Sequence, residues 1–528
     1  MKKFKFLLTF CLAIILVFTA CQLHPNFPVQ QRDREGVADR EYLALLKAEG
    51  NYVVSSEMLE YMVASFINPI ERGAERSVVS SEKAKITGSS KLTVINEKRH
   101  ASMNYGRSAE DSIEPEPVDV YAFTITKPGS ENPGYVLASD DLRVGIFLGM
   151  ADEGSLDDEG LSGFYEILFE GIGNYVNCIV EEYESITEGE VEDAVARSAA
   201  RSAARSTSVI QTASGSDGFS TESDNANKAD GYYKHFEPSL IGVVGHIVVS
   251  YFWFNGYYAI LPTEWRQLIP YDHVVTNLWN AKNGTNIFYS AGCVPVAIGQ
   301  IMAFHKKPVS STFTQNNLDR PTYNYTAGNG RTYNWNEMIS TPKKTSIGDP
   351  GALDIAELMY EIGERVNATY NADKTGAWTH DFTDKDPDAR DAFKDMGYTL
   401  NYNFMDYNTT NYPILKSSIQ AGRPVLVSGY SDKGGHAWVI DAVRVMGYFE
   451  DLYDTNGNYL WQISGPFISR ESMFYDWVHC NLGWANTKNA WYPSGVFQCY
   501  SGFQARARST ILTSDHYRYL LEFLPHIY

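Results

Sequence analysis

The chain is poor in cysteine and in positive charge. It has six cysteines in 528 residues, far below the density of a disulfide scaffold. No convincing zinc spacing occurs anywhere along it, so neither a metal nor another cofactor is expected. Lys and Arg number 44 against 64 Asp and Glu, a formal net charge of −20. Phosphate binding needs clustered Lys and Arg, so no nucleic-acid partner is expected and the acidity reads as solubility. The apolar run that opens the chain, MKKFKFLLTFCLAIILVFTAC, is too short and too weakly flanked to be a stable membrane span.

What is present starts with that leader. Three lysines precede the run and Ala20-Cys21 closes it, the pattern of a signal peptide over residues 1–21. Phe18-Thr19-Ala20-Cys21 resembles a bacterial lipobox, whose cysteine becomes the lipidated N-terminus. The expectation is a cell-envelope lipoprotein, on the outer membrane or cell surface, held through lipid on Cys21. Simple secretion is the alternative. With Cys11 and Cys21 in the leader, Cys178, Cys293, Cys480 and Cys499 remain. One bridge, Cys480–Cys499, is compatible with the sequence.

The length suggests more than one folding unit. SEMLEYMVASFI (56–67) has helical spacing, VYAFTIT (120–126) alternates like a strand, and GYVLASDDLRVGIFLGM (134–150) reads as strand, Asp-Asp turn, strand. FYEILFEGIGNYVNCIVEEYESI (164–186) reads as a helix burying Cys178 as a small hydrophobe. The composition then shifts. Residues 196–231 are Ser, Ala, Gly, Asn and Asp with a repeated Arg-Ser-Ala-Ala. Such a segment has too little to bury to offset its ordering entropy and is expected to be a linker. Arg197, Arg201 and Arg205 lie open to proteolysis there. From Tyr232 the chain is rich in Trp, Tyr and Gly. Helices at 293–305 and 351–366, with a third before 396–398, precede strands at 423–430, 435–445 and 477–484. Helices followed by a sheet predict an α+β domain.

Cys293 opens the first of these helices. Val294, Ala297, Ile298, Ile301 and Met302 form an apolar stripe, and Pro295 fits only a first turn. The thiol therefore sits at a helix N-terminus, where the macrodipole and free N–H groups favour a thiolate. Taken alone, this leaves a structural cysteine as open as a nucleophile.

A nucleophile needs an imidazole. His305 lies on the same helix, at about 1.5 Å per residue some ~18 Å along, and cannot serve. His380 lies in a polar loop where a surface role is expected. His436 follows two glycines and opens a strand whose alternate residues Trp438 and Ile440 share its face. That places it well to face a cleft, with a core histidine bonded to backbone as the other reading. On the strand HCN (479–481), His479 and Asn481 share one face and Cys480 the other, so His479 and Cys480 are not joint metal ligands. Asn481 can orient an imidazole, with Trp484 covering that bond from water. Gln267 and the Cys293 N–H can hold an oxyanion.

The order Gln, Cys, His, Asn is that of papain-like peptidases, and the chain resembles the streptopain family of bacterial papain-fold cysteine peptidases. The resemblance rests on Trp265-Arg266-Gln267 with Pro270-Tyr271-Asp272; Gly292-Cys293-Val294 with Ala297, Gln300-Ile301-Met302 and His305; Gly434 through Asp441; Asn481-Leu482-Gly483-Trp484; and LMYEIGERVNATY (358–370). These span most of residues 258–500. The N-terminal half resembles the family's propeptide, which blocks the active site and is removed by cleavage. Departures are Leu482 for a tryptophan, Ala485-Asn486 for a Gly-Gly pair, Arg266 for a glycine, and a long stretch between His436 and Asn481. They bear on the wall of the site and its specificity.

The resemblance implies an inhibitory α+β propeptide domain over 22–195, an activation linker over 196–231, and a papain-like catalytic domain over 232–528. The implied protein is a lipid-anchored cysteine endopeptidase made as a zymogen. Cys293 and His436 form its dyad, Gln267 its oxyanion hole, and Asn481 and Trp484 position the imidazole. Proteins or peptides are the substrates, the propeptide is an intramolecular inhibitor, and the mature domain is open to release. A decayed peptidase fold serving as a surface binding or inhibitor protein is the competing class, and a transglutaminase- or amidase-like transferase a third.

Overall fold

The computed structural model describes residues 43–68, 83–94, 118–197, 247–308, 332–431, 434–463, 476–497 and 520–528, apart from short internal gaps. The leader with Cys21, the linker from residue 198 onward, Cys499 and the side chain of Cys178 lie outside the described residues.

The N-terminal segment holds α1 (Ser56–Phe66) and a meander of β1 (Lys85–Val94), β2 (Val118–Thr126), β3 (Gly134–Ser139) and β4 (Phe147–Ala151), closed by α2 (Ser162–Glu184). Each periodic stretch of the sequence lies in one of these elements. β3 and β4 are buried at every residue, which their unbroken apolar runs require.

After β5 (Ile247–Gly256) comes a helical half: α3 (His273–Asn283), α4 (Cys293–His305), α5 (Ala352–Arg365), the short hairpin β6 (Thr369–Tyr370) and β7 (Thr375–Gly376), and α6 (Ala389–Asp395). β8 (Met405–Asp406) and α7 (Tyr412–Gln420) lead into β9 (Val425–Ser431), β10 (Gly434–Tyr453), β11 (Tyr459–Ile463), β12 (Asp476–Asn481), β13 (Ala490–Pro493) and β14 (Leu520–Leu524). The mixture of helices with an antiparallel sheet is the α+β class the sequence predicts.

One 12-stranded sheet runs in the order β1-β2-β3-β4-β13-β12-β10-β9-β14-β8, with β5 and β11 also paired to β10. The N-terminal meander therefore continues into the sheet of the C-terminal half. The junction is the β4–β13 pairing, Ala151 opposite Ala490 and Met150 opposite Trp491.

Two hydrophobic cores flank the sheet. One lies in the helical half around α4 and includes Ala437 and Val439 of β10. The other is shared: Phe66, Phe147, Phe164 and Ile167 of the N-terminal segment join Trp438, Ile440, Tyr492, Phe497 and Phe523. Alternation along β10 sorts its residues between the two.

The sequence predicts one buried stripe on α4, but every residue from Val294 to Ala303 is buried. The reason is position: α4 is enclosed between α5 and the sheet. Burying Ile298, Ile301 and Met302 each contributes roughly 1.5–3 kcal/mol of transfer free energy, which fixes the helix whose first turn carries the thiol.

Candidate active site

Gly292 caps α4 with φ 93°, in the left-handed region that glycine tolerates. A Cβ there would lie 2.9 Å from Thr375 Cγ2. This turn delivers a half-buried Cys293 to the helix N-terminus, as a free thiol. Its sulfur faces the backbone N–H groups of Ala437, Val294 and Cys293 itself. Burial nevertheless pushes the thiol pKa up, the N–H groups only partly offsetting it. The thiolate favoured on helix-dipole grounds is not the form this state stabilises, because desolvation outweighs the dipole and no imidazolium faces the sulfur.

Ala437 places Cys293 beside the residue that follows His436. The imidazole itself lies with Trp438 on the face of β10 that packs against the N-terminal segment, 6.2 Å between ring centroids. It meets Phe164 of α2 at 5.9 Å, edge to face. Its Nε2–H donates to the Leu482 carbonyl at 3.0 Å. Among the described residues no hydrogen bond joins Cys293 to His436. Burial without a charged partner lowers the imidazole pKa to about 4, so the ring is neutral near neutral pH. Thiol and imidazole thus lie on adjoining segments, with no hydrogen bond between them among the described residues.

Gln267 is packed against the loop that leads into α4. Gln267 is 8% exposed. Its carbonyl accepts Ala291 N–H at 2.8 Å, and its side-chain Oε1 accepts from Ser290 Oγ at 3.2 Å. Gln267 thus stands on the loop that enters Cys293.

Asn481 does not orient the imidazole in this structure. Its Nδ2 donates to Thr263 O at 2.8 Å, and its Oδ1 accepts from Gln300 Nε2 at 3.0 Å and from Gly483 N at 3.3 Å. Gln300 Oε1 in turn accepts from Trp265 N at 3.1 Å. Asn481 is thereby a clip between α4, the turn after β12 and the segment entering Gln267. The neighbouring residue's carbonyl, Leu482 O, takes the imidazole instead.

Trp484 is partly buried against the shared core, and its backbone bridges Arg266 beside Gln267. Gly483 has φ 66°, and a Cβ on it would approach Val296 Cγ1 to 2.9 Å, so this turn needs glycine.

The other histidines separate as spacing required, with one exception. His305 meets Tyr398 edge to face at the far end of α4. His479 Nδ1 pairs with Asp441 Oδ1 at 2.6 Å, while Cys480 is a free thiol buried behind it. His380, expected at the surface, is packed instead: its Nδ1 meets buried Glu522 at 2.7 Å and its ring stacks on Phe404. Glu522 lies more than a hundred residues along the chain, beyond the reach of local pattern. Among the described residues no group of three His, Cys, Asp or Glu side chains could hold a metal ion.

Sequence reasoning missed Phe164, Ser290 and the Gln300–Asn481 clip. Gln300 stood in a recognised motif, but nothing local reveals its partners. Phe164 looked like any apolar position of an amphipathic helix.

Residues 265–492 match the Peptidase C10 family. Streptopain of Streptococcus pyogenes is 26% identical over 194 residues, covering 34% of this chain and 47% of streptopain. The chain thus spans about half the length of the curated relatives it matches. Among solved structures, a Prevotella intermedia prointerpain A fragment aligns over 73% of this chain and 91% of its own, at 15% identity and a TM-score of 0.37. Active interpain A from the same organism aligns over 51% and 94%, at 17% identity and a TM-score of 0.28. Residues 265–492, which carry Gln267, Cys293, His436 and Asn481, are thus the stretch over which the chain is similar to the peptidase C10 family and to streptopain.

Proposed function

We propose that the chain is a cysteine endopeptidase made as a zymogen and described here in its latent state. In the active state the His436 imidazole takes the Cys293 thiol proton, and the thiolate attacks the scissile carbonyl. The Gln267 amide N–H and the Cys293 N–H stabilise the tetrahedral oxyanion. The imidazolium then protonates the leaving amine, and water hydrolyses the acyl-enzyme with His436 as base. Substrates are proteins or peptides. The N-terminal segment is the inhibitor, and lipid on Cys21 ties it to the cell envelope.

The observation that carries this reading is Phe164 against His436. The catalytic residue types are all present, yet an N-terminal side chain packs on the imidazole while its N–H is held by Leu482 O. A neutral thiol beside a neutral, diverted imidazole is a resting site. Cleavage in the 196–231 linker lets α2 move off β10 and frees the ring to meet the sulfur.

The test uses purified protein with and without linker cleavage, assayed on casein. Cleaved wild type is expected to hydrolyse casein and to be labelled at Cys293 by a thiol-directed peptide epoxide, while Cys293→Ala does neither. Casein turnover by Cys293→Ala, or an inert cleaved wild type with an intact fold, would overturn the reading, the second favouring a binding protein on the same fold.

A further inference from the structure

Gln267 has a problem that Cys293 and His436 do not. Its side-chain amide has a donor end and an acceptor end of nearly the same shape. Only the NH2 end can stabilise an oxyanion; turned over, the amide would present a carbonyl to a developing negative charge. Something has to decide which end faces the thiol.

We propose that Ser290 is the positioning residue that sets the orientation of the Gln267 amide. The Ser290 Oγ accepts the Gly292 N–H at 3.1 Å and lies 3.2 Å from Gln267 Oε1. With its oxygen already accepting an N–H, the hydroxyl has its proton to give, and Gln267 meets it with the carbonyl oxygen. Turning the amide over would set two N–H donors against one hydroxyl oxygen and leave the hydroxyl proton without an acceptor. The cost of leaving a partly buried hydrogen bond unmade therefore keeps Oε1 on Ser290 and leaves Nε2 as the end turned away from it. Among the described residues Nε2 has no hydrogen-bond partner, as a group reserved for substrate requires.

Ser290 is itself held. Thr375 of β7 donates its hydroxyl to Ser290 O at 2.7 Å, and the Thr375 methyl closes on the Gly292 turn. The Ala291 N–H bonds the Gln267 carbonyl at 2.8 Å. The hydroxyl is thus fixed relative to both the glutamine and the helix start, with the burden of orientation on one side chain.

This inference rests on the peptidase reading and adds a residue to it. The experiment is a double-mutant cycle on the activated enzyme, with kcat and KM on a peptide substrate and iodoacetamide alkylation of Cys293 as readouts. Gln267→Ala should lower kcat by roughly 10²–10³-fold, the usual effect of losing an oxyanion donor. Ser290→Ala should lower kcat by about tenfold or more, leave KM and the alkylation rate unchanged, and add nothing further in the Gln267→Ala background. Ser290→Thr, which keeps the hydroxyl, should restore most of kcat. If Ser290→Ala does not fold, Ser290→Cys, a weaker donor of similar shape, is read by the same criteria.

A kcat loss that multiplies with that of Gln267→Ala, a change confined to KM, or no loss at all would overturn the role of Ser290 alone. An unchanged kcat in Gln267→Ala would instead remove the oxyanion assignment on which it stands.

Discussion

At His436 two opposing environments are available, and this state chooses the apolar one. Edge-to-face packing on Phe164 and stacking on Trp438 leave a single polar contact, Leu482 O. A ring whose pKa falls from its ordinary 6.5 to about 4 when closed refuses a proton that the opened chain accepts. The closed state is therefore fully stabilised above about pH 6.5 and loses stability as pH falls toward about 4, by up to on the order of 3 kcal/mol. In the uncut Cys293→Ala protein the thermal midpoint should fall across that window, and His436→Gln should flatten the fall. Equal slopes in the two proteins would mean that other groups carry the acid sensitivity.

At the scale of elements, α2 is the helix that packs on His436, and in the proposed latent state it is what holds the imidazole off the sulfur. Phe164 lies within 5.9 Å of His436 and 5.3 Å of Trp438, and also packs on Tyr492 and Phe497. One turn further, Ile167 closes on Gly429 of β9, where an added Cβ would meet it at 3.1 Å. Truncating a buried phenylalanine costs roughly 3–5 kcal/mol, here at the contact that diverts the imidazole. Phe164→Ala in the uncut chain should shorten the lag before casein hydrolysis and speed Cys293 alkylation. Phe66→Ala is the control: Phe66 stacks on Phe147 and packs at a tilt on Trp477 in the same shared core, away from His436. Equal shortening by both would identify general loosening instead of a specific wedge.

Over the whole molecule, the N-terminal segment is joined to the C-terminal half by more than the linker. The sheet runs through β4–β13, Tyr135 and Tyr492 share a hydroxyl hydrogen bond of 2.5 Å, and one core contains side chains from both. Even where α2 moves off β10 after cleavage, the β4–β13 pairing and the Tyr135–Tyr492 hydrogen bond still hold the two fragments together. Uncut Cys293→Ala protein nicked by trypsin between Arg197 and Tyr232 should elute as one particle on gel filtration and separate only in denaturant. If Cys21 carries lipid, both fragments should also stay with the membrane fraction until the N-terminal segment is degraded. Separation of the fragments in native buffer would show that the shared core does not outlast the covalent tie.

Much of the site was legible from local pattern. Pro295 and the apolar spacing after Cys293 place the thiol at a helix start, the helical rise excludes His305, and strand alternation separates His479 and Asn481 from Cys480. These follow from neighbours two to four residues apart, whose geometry the backbone repeats. The sequence by itself thus determined the elements and the residue types that reach the site. Tertiary structure decided their partners: Phe164 on His436, Gln300 on Asn481, Ser290 on Gln267, Glu522 on His380, and Ala151 opposite Ala490. Each joins residues tens to hundreds of positions apart, where no periodicity connects them and only packing, desolvation and the satisfaction of buried polar groups select the match.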